Sequence, residues 1–551
     1  METIVLPAIA AAVAAALLGP RAWRRLELSR AKHRSLAGHS RWSRRFAKQV
    51  PFYEYGDDMF FSCDNAPEDI IAQRRAGFGR LAVLYKERFA ATVAAGAGLE
   101  DGVPDVRFTA RYRVPFQFRE KVRRELKGGG LLQSADGVQV TDLDGNRFYD
   151  LTGSYGVNLL GVDFYRQCIE RGSRAVEALG PVLGPFHPVV VDNVRRLKAI
   201  SGLDDVSFHM SGTEAVMQAV RLARYHTGRR RIVRFCGAYH GWWGEVQPGV
   251  GNPHNEPDTL TLSDMSERTL KVLEGRKDIA CVLVNPLQAL HPNANAPGDS
   301  QLVDSSRRAA YDREAYTQWL RRLREVCTRR GIVFILDEVF LGFRLARGGA
   351  QEYFGVKADL VTYGKTLGGG LPVGVVCGTR RLMQRYREDR PADICFARGT
   401  FNSHPYVMGA MDEFLRFMET DTAAGLYIGL DETWHGRAAA LNAQLMAASV
   451  PVSVVAMTTV WTVNFTRPGR YNWMLQYYLR AQGLALSWVG SGRFIFSLNY
   501  TQADFDEVAR RFVAAAREML ADGWFWHDGR LTDKAIRRQI LKEMLQARWR
   551  A

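Results

Sequence analysis

The chain contains no CxxC pair, and its seven cysteines (63, 168, 236, 281, 327, 377 and 395) are scattered and odd in number. Neither a disulfide framework nor a paired-cysteine zinc site is supported, and a reducing compartment is the default. There is no internal repeat and no low-complexity segment beyond an alanine-rich start, which sets repeat arrays aside. Acidic residues are scarce at both ends. Arg21 to Lys48 holds ten Lys/Arg against Glu27 alone, and Arg530 to Ala551 holds seven against two acids. Of the formal charge of +16, only roughly +3 is left for the body between. That near-neutral body weighs against a nucleic-acid-binding surface. No charge occurs from Thr3 to Pro20 and no basic segment precedes that run, which disfavours a cleaved signal peptide.

At 551 residues and 47% apolar composition, the chain is globular, long enough for a large core and for more than one domain. Residues 1–20 read as a short membrane anchor helix: eighteen helical residues span about 27 Å, close to the hydrocarbon thickness. With "RAWRR" following at once, the positive-inside rule puts the body on the cytoplasmic side of that membrane. An interfacial or partner-buried helix is the competing reading. Residues 21–130 form a basic collar, with Trp23 and Trp42 among its arginines, and a helical appendage of unknown use with helices over 67–95 and 115–127. At the other end, residues 529–551 form a basic amphipathic tail, with Ile536, Ile540, Leu541, Met544 and Leu545 at helical spacing among Lys534, Arg537, Arg538 and Lys542. It reads equally as a second membrane contact and as a packing arm on a partner subunit.

Between the ends, the apolar runs "RIVRFCG", "IACVLVN", "GIVFILDE", "ADLVTYG" and "PVGVVCG" alternate with amphipathic helices such as 213–226 and 313–329. This pattern predicts an α/β domain with a mostly parallel sheet covered on both faces, here over 181–424. A smaller α+β unit takes 425–528, with its amino-terminal part at 131–180. One strand ends in two acids, Asp337 and Glu338. Twenty-eight residues after Asp337, another ends in Lys365 followed by Gly368, Gly369 and Gly370. An acid and a lysine at the carboxyl ends of buried strands suit a cofactor site in an open α/β sheet. "SGTEA" places Ser211, Gly212 and Thr213 at a helix entrance, which reads as a phosphate site or as an ordinary helix cap. "CGAYHGWW" brings Tyr239 and His240 to the same sheet edge, as core or as a platform for a flat ring. A planar phosphorylated cofactor with a basic ring nitrogen and an aldehyde would use all of these groups. Pyridoxal 5′-phosphate is such a cofactor.

The segments "SGTEA", "YHG", "DEV", "GFR...GGAQEYFGV", "YGKTLGGGLPVG" and "GTF" occur here in one order. In them the chain resembles the class III aminotransferases of fold type I, and within these the group around glutamate-1-semialdehyde 2,1-aminomutase, from about residue 140 to about 520. The resemblance implies that Lys365 holds pyridoxal 5′-phosphate as a Schiff base and shuttles a proton. It implies that Asp337 pairs with the ring nitrogen, that Val339 and Tyr239 flank the ring with His240 beside it, and that Gln288 lies near the ring hydroxyl. Gly212 and Thr213 would bind phosphate, with Ser211 shaping the turn. Thr400 would reach the neighbouring subunit's phosphate, making a homodimer with shared sites the minimum active unit.

Several positions depart from the pattern of that family. Met210 and His404 stand where asparagine is usual, and Asn285 replaces a glutamate. Leu290 takes the place of a glutamate that in ornithine-type enzymes pairs with a substrate-gating arginine, here Arg493. That arginine then binds a carboxylate directly or serves as an ion-pair residue. Ser134 stands where the aminomutases carry an arginine near the substrate carboxylate. Trp242 and Trp243, together with Tyr155, line a bulky apolar substrate pocket, or the tryptophans fill core. The expected function is transfer of an amino group from an amino-acid donor to a bulky, lipid-like or carrier-bound aldehyde or ketone. A 2,1-aminomutase and a non-catalytic membrane adaptor are the alternatives. No metal and no nucleic acid are expected.

Overall fold

A computed structural model of the chain describes residues 2–32, 45, 47–247, 258–293, 309–486 and 493–550. Its centre is a seven-stranded sheet in the order β4-β10-β9-β8-β7-β5-β6. The strands are β4 (Asp205–His209), β5 (Arg231–Phe235), β6 (Thr259–Leu262), β7 (Ile279–Val284), β8 (Val333–Asp337), β9 (Leu360–Gly364) and β10 (Gly374–Gly378). All neighbours are parallel except β10, which runs antiparallel to both β4 and β9. Successive side chains of a strand point to opposite faces, and the core divides accordingly. Val333 and Ile335 enter one cluster with the helix Gly212–Thr227, while Phe334 and Leu336 enter the other. Asp337 continues the first series, so strand alternation aims it toward the face that the helix Gly212–Thr227 covers.

The smaller unit joins distant parts of the chain. Strands β1 (Leu132–Asp136), β2 (Gln139–Asp142) and β3 (Arg147–Asp150) form a sheet whose fourth member is Leu484–Ala485, parallel to β3. A three-stranded antiparallel sheet is made by Val452–Met457, Val460–Phe465 and Arg493–Ile495. The appendage packs into this unit's core: Phe60, Phe78, Tyr85 and Phe118 share one cluster with Trp473, Tyr478 and Trp524. Its helices are Glu68–Arg88, Ala90–Gly102, Pro104–Tyr112 and Arg119–Glu125, besides the short Asp57–Ser62. The expected helices at 67–95 and 115–127 thus break differently. Pro67 precedes the first helix as its cap, and Pro104 opens a helix that the glycines and acids before it conceal from a periodicity reading. Fully buried Arg470 ties three parts of the chain together, with Asp64 at 3.0 Å and Glu543 of the terminal helix Asp533–Arg550 at 3.0 Å.

The expected membrane-spanning segment is not supported. Residues Glu2–Ala31 make one helix that runs on through the charged residues after Pro20. Among the described residues, no helix is long and apolar enough to cross a membrane. Alanine contributes little to insertion, and the far end of this helix is committed to protein. Ala31 is buried, Leu28 packs on the large-domain core, and Ser263 donates its backbone N–H to the Ala31 carbonyl at 2.8 Å. Most of the basic run that follows, 33–44 with Trp42, lies outside the described residues.

Candidate active site

Strands β8 and β9 end side by side, with Asp337 in register with Thr362. The Asp337 carboxylate is 4% exposed and would be costly there without partners. It accepts hydrogen bonds from the Thr362 hydroxyl at 3.1 Å and the Val339 N–H at 3.2 Å, and His240 Nδ1 lies 2.8 Å from its other oxygen. The second acid of the pair, Glu338, is fully buried. It accepts from the backbone N–H groups of Ala350 at 2.6 Å and Gln351 at 3.2 Å. Burial nevertheless outweighs those bonds and pushes its pKa up to about 8. Glu338 is therefore a neutral structural acid at pH 7, while Asp337 is the one that faces the site.

Lys365 follows β9 directly. Its backbone φ is +49°, a left-handed conformation that an L-residue adopts only at a cost of about 1–3 kcal/mol and that clusters at functional sites. The side chain is half-buried. Burial lowers its pKa below the usual lysine value; Asp337 opposes that shift and the Arg344 guanidinium adds to it. A lysine so placed holds a larger neutral fraction, which a nucleophilic amine needs.

The surrounding cradle is built from close approaches. Ser211 caps the helix Gly212–Thr227, accepting from Glu214 N–H at 3.2 Å. A Cβ at Gly212 would lie 2.5 Å from Val339 Cγ1, and one at Gly241, where φ is +88°, would lie 2.6 Å from the Thr213 hydroxyl. Only glycine keeps these surfaces apart enough for a helix amino terminus to face an anion. Two buried polar atoms in the same neighbourhood, His240 Nε2 and Gln288 Oε1, have no hydrogen-bond partner among the described residues. Orphaned donors or acceptors beside a buried carboxylate, a depressed lysine and a phosphate-type helix entrance fit pyridoxal 5′-phosphate. Val339 is half-buried and Tyr239 is 60% exposed, as expected of a ring's inner and outer flanks.

Residues that sequence reasoning did not single out complete this centre. A Cβ at Gly156 would sit 2.8 Å from the Phe340 ring and 3.3 Å from Lys365 Cδ, so the turn carrying Tyr155 presses on both. Lys365 Nζ and Arg344 Cζ each lie 5.9 Å from the Phe340 ring centroid. Fully buried Arg344 donates to the Phe496 carbonyl at 2.7 Å, the Thr459 hydroxyl at 2.9 Å and the Asn158 carbonyl at 3.1 Å. It joins the site's floor to both parts of the smaller unit. The "GFR" run was its one trace in the sequence.

Arg493 opens the strand Arg493–Ile495, whose Ile495 N–H bonds the Leu151 carbonyl just before the Tyr155 turn. Among the described residues it has no carboxylate partner. Its Nη2 donates to His291 Nε2 at 3.0 Å, its Nε is buried without a partner, and burial lowers its pKa to about 10. The paired tryptophans part company. Trp242 is 74% exposed, whereas Trp243 packs against the core cluster around the helix Gly212–Thr227. Trp243 is thus core. Ser134 is exposed on β1. Thr400 is exposed in the turn before the helix Pro405–Met418, and Met210 is exposed while Asn285 is buried and bonds the Tyr239 carbonyl at 3.0 Å.

The chain matches the aminotransferase class-III family over residues 127–289 and 307–516. It is 32% identical to a glutamate-1-semialdehyde 2,1-aminomutase of Geotalea daltonii over 358 residues, 62% of this chain and 78% of that protein. It is 33% identical to that of Chlorobium limicola over 337 residues, 57% and 72% respectively. Among solved structures, a transaminase with pyridoxal phosphate bound superposes with a TM-score of 0.63 at 26% identity, covering 80% of this chain and 99% of that one. A glutamate-1-semialdehyde aminomutase from Pseudomonas aeruginosa shares the fold at a TM-score of 0.64 and 19% identity, covering 82% and 99%. The protein belongs to the class-III aminotransferase family and is a pyridoxal-phosphate-dependent enzyme.

Proposed function

We propose that the enzyme transfers an amino group between two separate substrates, an amino-acid donor and a bulky aldehyde or ketone. The observation that carries this reading is the contrast between Ser134 and Arg493. The mutase-type place holds Ser134, exposed and uncharged, while Arg493 stands near the Tyr155 turn and, among the described residues, has an unpartnered buried Nε and no carboxylate beside it. A guanidinium so placed favours a substrate carboxylate by a bidentate, charge-assisted bond. The open side, with Tyr239 and Trp242 exposed, suits an acceptor larger than the donor.

Bound pyridoxal phosphate supplies an aldehyde carbon that takes the amino nitrogen and a ring that accepts electrons. The chain's own groups supply the rest. Asp337 Oδ2 and Oδ1, fixed by His240, Thr362 and the Val339 N–H, hold a proton on the ring nitrogen. Lys365 Nζ, kept partly neutral by burial, takes a proton from the substrate carbon and returns it. Arg493 orients the donor's carboxylate, and the Phe340 ring keeps water from one side of Nζ. A homodimer with Thr400 turned toward the partner's phosphate belongs to this reading, supported by Phe396 and Phe401 lying exposed around it.

The test is nitrogen bookkeeping. Donor labelled with heavy nitrogen, incubated with an aldehyde acceptor, should give labelled amine and one equivalent of the donor's oxo acid. Full-rate isomerisation of an amino-aldehyde without donor and without label exchange would establish the intramolecular 2,1-aminomutase instead.

A further inference from the structure

The terminal helix Asp533–Arg550 has two unlike sides. Its docked side is held by Ile536 and Ile540, which are buried, by half-buried Met544, and by Glu543, which accepts from the Tyr55 hydroxyl at 2.6 Å and pairs with Arg470. At 100° per residue, the opposite side gathers Leu541, Leu545 and Trp549 in an i, i+4, i+8 stripe. All three are exposed, Trp549 by 89% and Leu545 by 52%. The same arc, about 140° wide, carries Lys534, Arg537, Arg538, Lys542 and Arg548, every one exposed. The helix's two acids, Asp533 and Glu543, fall outside it. Arg548 donates to Gln49 at 3.4 Å, which brings exposed Lys48 beside the arc's far end.

From this juxtaposition of an apolar stripe with five cations and no acid on one exposed helix side, we propose that the outer face of the helix Asp533–Arg550 docks flat on an anionic lipid surface. The chemistry of the arc selects that partner. Leucines between cations, with a tryptophan at the end, match the boundary between headgroups and acyl chains, where cations meet lipid phosphates and indole is preferred. A second copy of the chain is disfavoured, because paired arcs would set five cations against five. A nucleic acid would satisfy the cations but lay Leu541 and Leu545 against a polar backbone. The docking needs no spanning helix, and it is independent of the amino-transfer reading.

The buried state of all seven cysteines supplies the experiment. In the full-length, cofactor-loaded protein, Leu545→Cys and, as a control on exposed flank, Gln546→Cys are labelled with an environment-sensitive fluorophore. Vesicles of phosphatidylcholine, with and without phosphatidylserine, are then added. The expected result is blue-shifted, intensified emission at 545 with phosphatidylserine vesicles only, reversed by high salt, with no change at 546. Replacing Arg537, Arg538 and Lys542 together by Glu should weaken vesicle binding at least about 100-fold while leaving the cofactor's absorption intact. No response at 545, an equal response at 546, or an equal response to phosphatidylcholine alone would overturn the proposal. So would a shift that grows with protein concentration in the absence of lipid, or one that RNA produces by itself.

Discussion

His240 Nδ1 stands 2.8 Å from Asp337 Oδ2, both groups buried, and among the described residues the histidine's other nitrogen has no partner. The carboxylate is thus held from one side by an imidazole and from the other by the Thr362 hydroxyl. Its orientation is set before any ligand arrives. Asp337→Asn keeps the shape but removes the charge that, in the proposed reaction, would hold a proton on the ring nitrogen. Amino transfer should fall by about 10²–10³-fold or more, the usual cost of losing one preorganised electrostatic contact. His240→Asn should cost less and should also loosen cofactor binding, measured as a raised dissociation constant by absorption titration.

Lys365 carries a sign that can be tested in the apo protein. Its folded pKa lies below the usual lysine value because burial outweighs the attraction of Asp337. The unfolded chain therefore binds more protons below pH 10.5, and stability rises with pH through that window. Lys365→Met removes the cost of a buried cation. Apo Lys365→Met should melt higher than apo wild type, with the gain largest at neutral and lower pH and vanishing toward pH 10.5. An unchanged difference across pH would show that burial does not depress this amine.

Glu338 titrates with the opposite sign. Its folded pKa is raised to about 8 from the ordinary 4.5, first by burial. The native state then holds an extra proton between those values, so the contribution of this group is full below pH 4.5 and is lost as pH rises through 8. Glu338→Gln stays neutral, although its amide accepts only one of the two N–H bonds from Ala350 and Gln351. The variant should be somewhat less stable at pH 5 and should lose less stability than wild type between pH 5 and 9. Chemical denaturation at several pH values reads both effects.

Arg344 offers a structural counterpart. Removing its side chain strands the Phe496 and Asn158 carbonyls and the Thr459 hydroxyl in the interior, and each orphaned buried group costs about 1–3 kcal/mol. Arg344→Leu should lose about 3 kcal/mol or more of stability. Because this guanidinium also lowers the Lys365 pKa, a surviving fold should show the lysine titrating higher, read from the pH dependence of its modification by an amine reagent.

What the sequence made legible was local. Val333 to Asp337 is a short apolar run closed by an acid, and Lys365 sits before a glycine cluster, so both could be placed from neighbours within a few residues. Ser211, Gly212 and Thr213 followed from a helix-cap pattern. The Arg493–His291 bond, between residues 202 apart, left no such trace, because only the approach of the strand Arg493–Ile495 to the turn after β7 creates it. Trp243 misled for the same reason: next to exposed Trp242 it looks like pocket, and the packing of the helix Gly212–Thr227 makes it core. The appendage could be read as helical, but its union with Trp473 and Trp524 in one core depends on surfaces that meet only in the folded chain.

That distant pairing gives the most discriminating variant. Arg493 Nη2 donates to His291 Nε2, so this ring nitrogen is unprotonated and the arginine's charge is not neutralised by its partner. An arginine paired with a carboxylate would have to break an ion pair before binding a substrate acid. Here the bond given up is to a neutral ring, so the guanidinium is available at small cost. Charge-assisted bonds of this kind contribute about 1.5–3 kcal/mol each, which is about 10- to 100-fold in affinity. Arg493→Gln should therefore raise KM for donors bearing a carboxylate by about that factor, with little change in kcat. Amine donors that lack a carboxylate should be unaffected. If both donor classes lose activity equally, Arg493 supports the fold of the site and does not bind substrate; if neither does, the carboxylate is held elsewhere. His291→Glu supplies the missing counter-ion and should raise KM for the same acids by competing for the guanidinium, which a merely structural role of His291 does not predict.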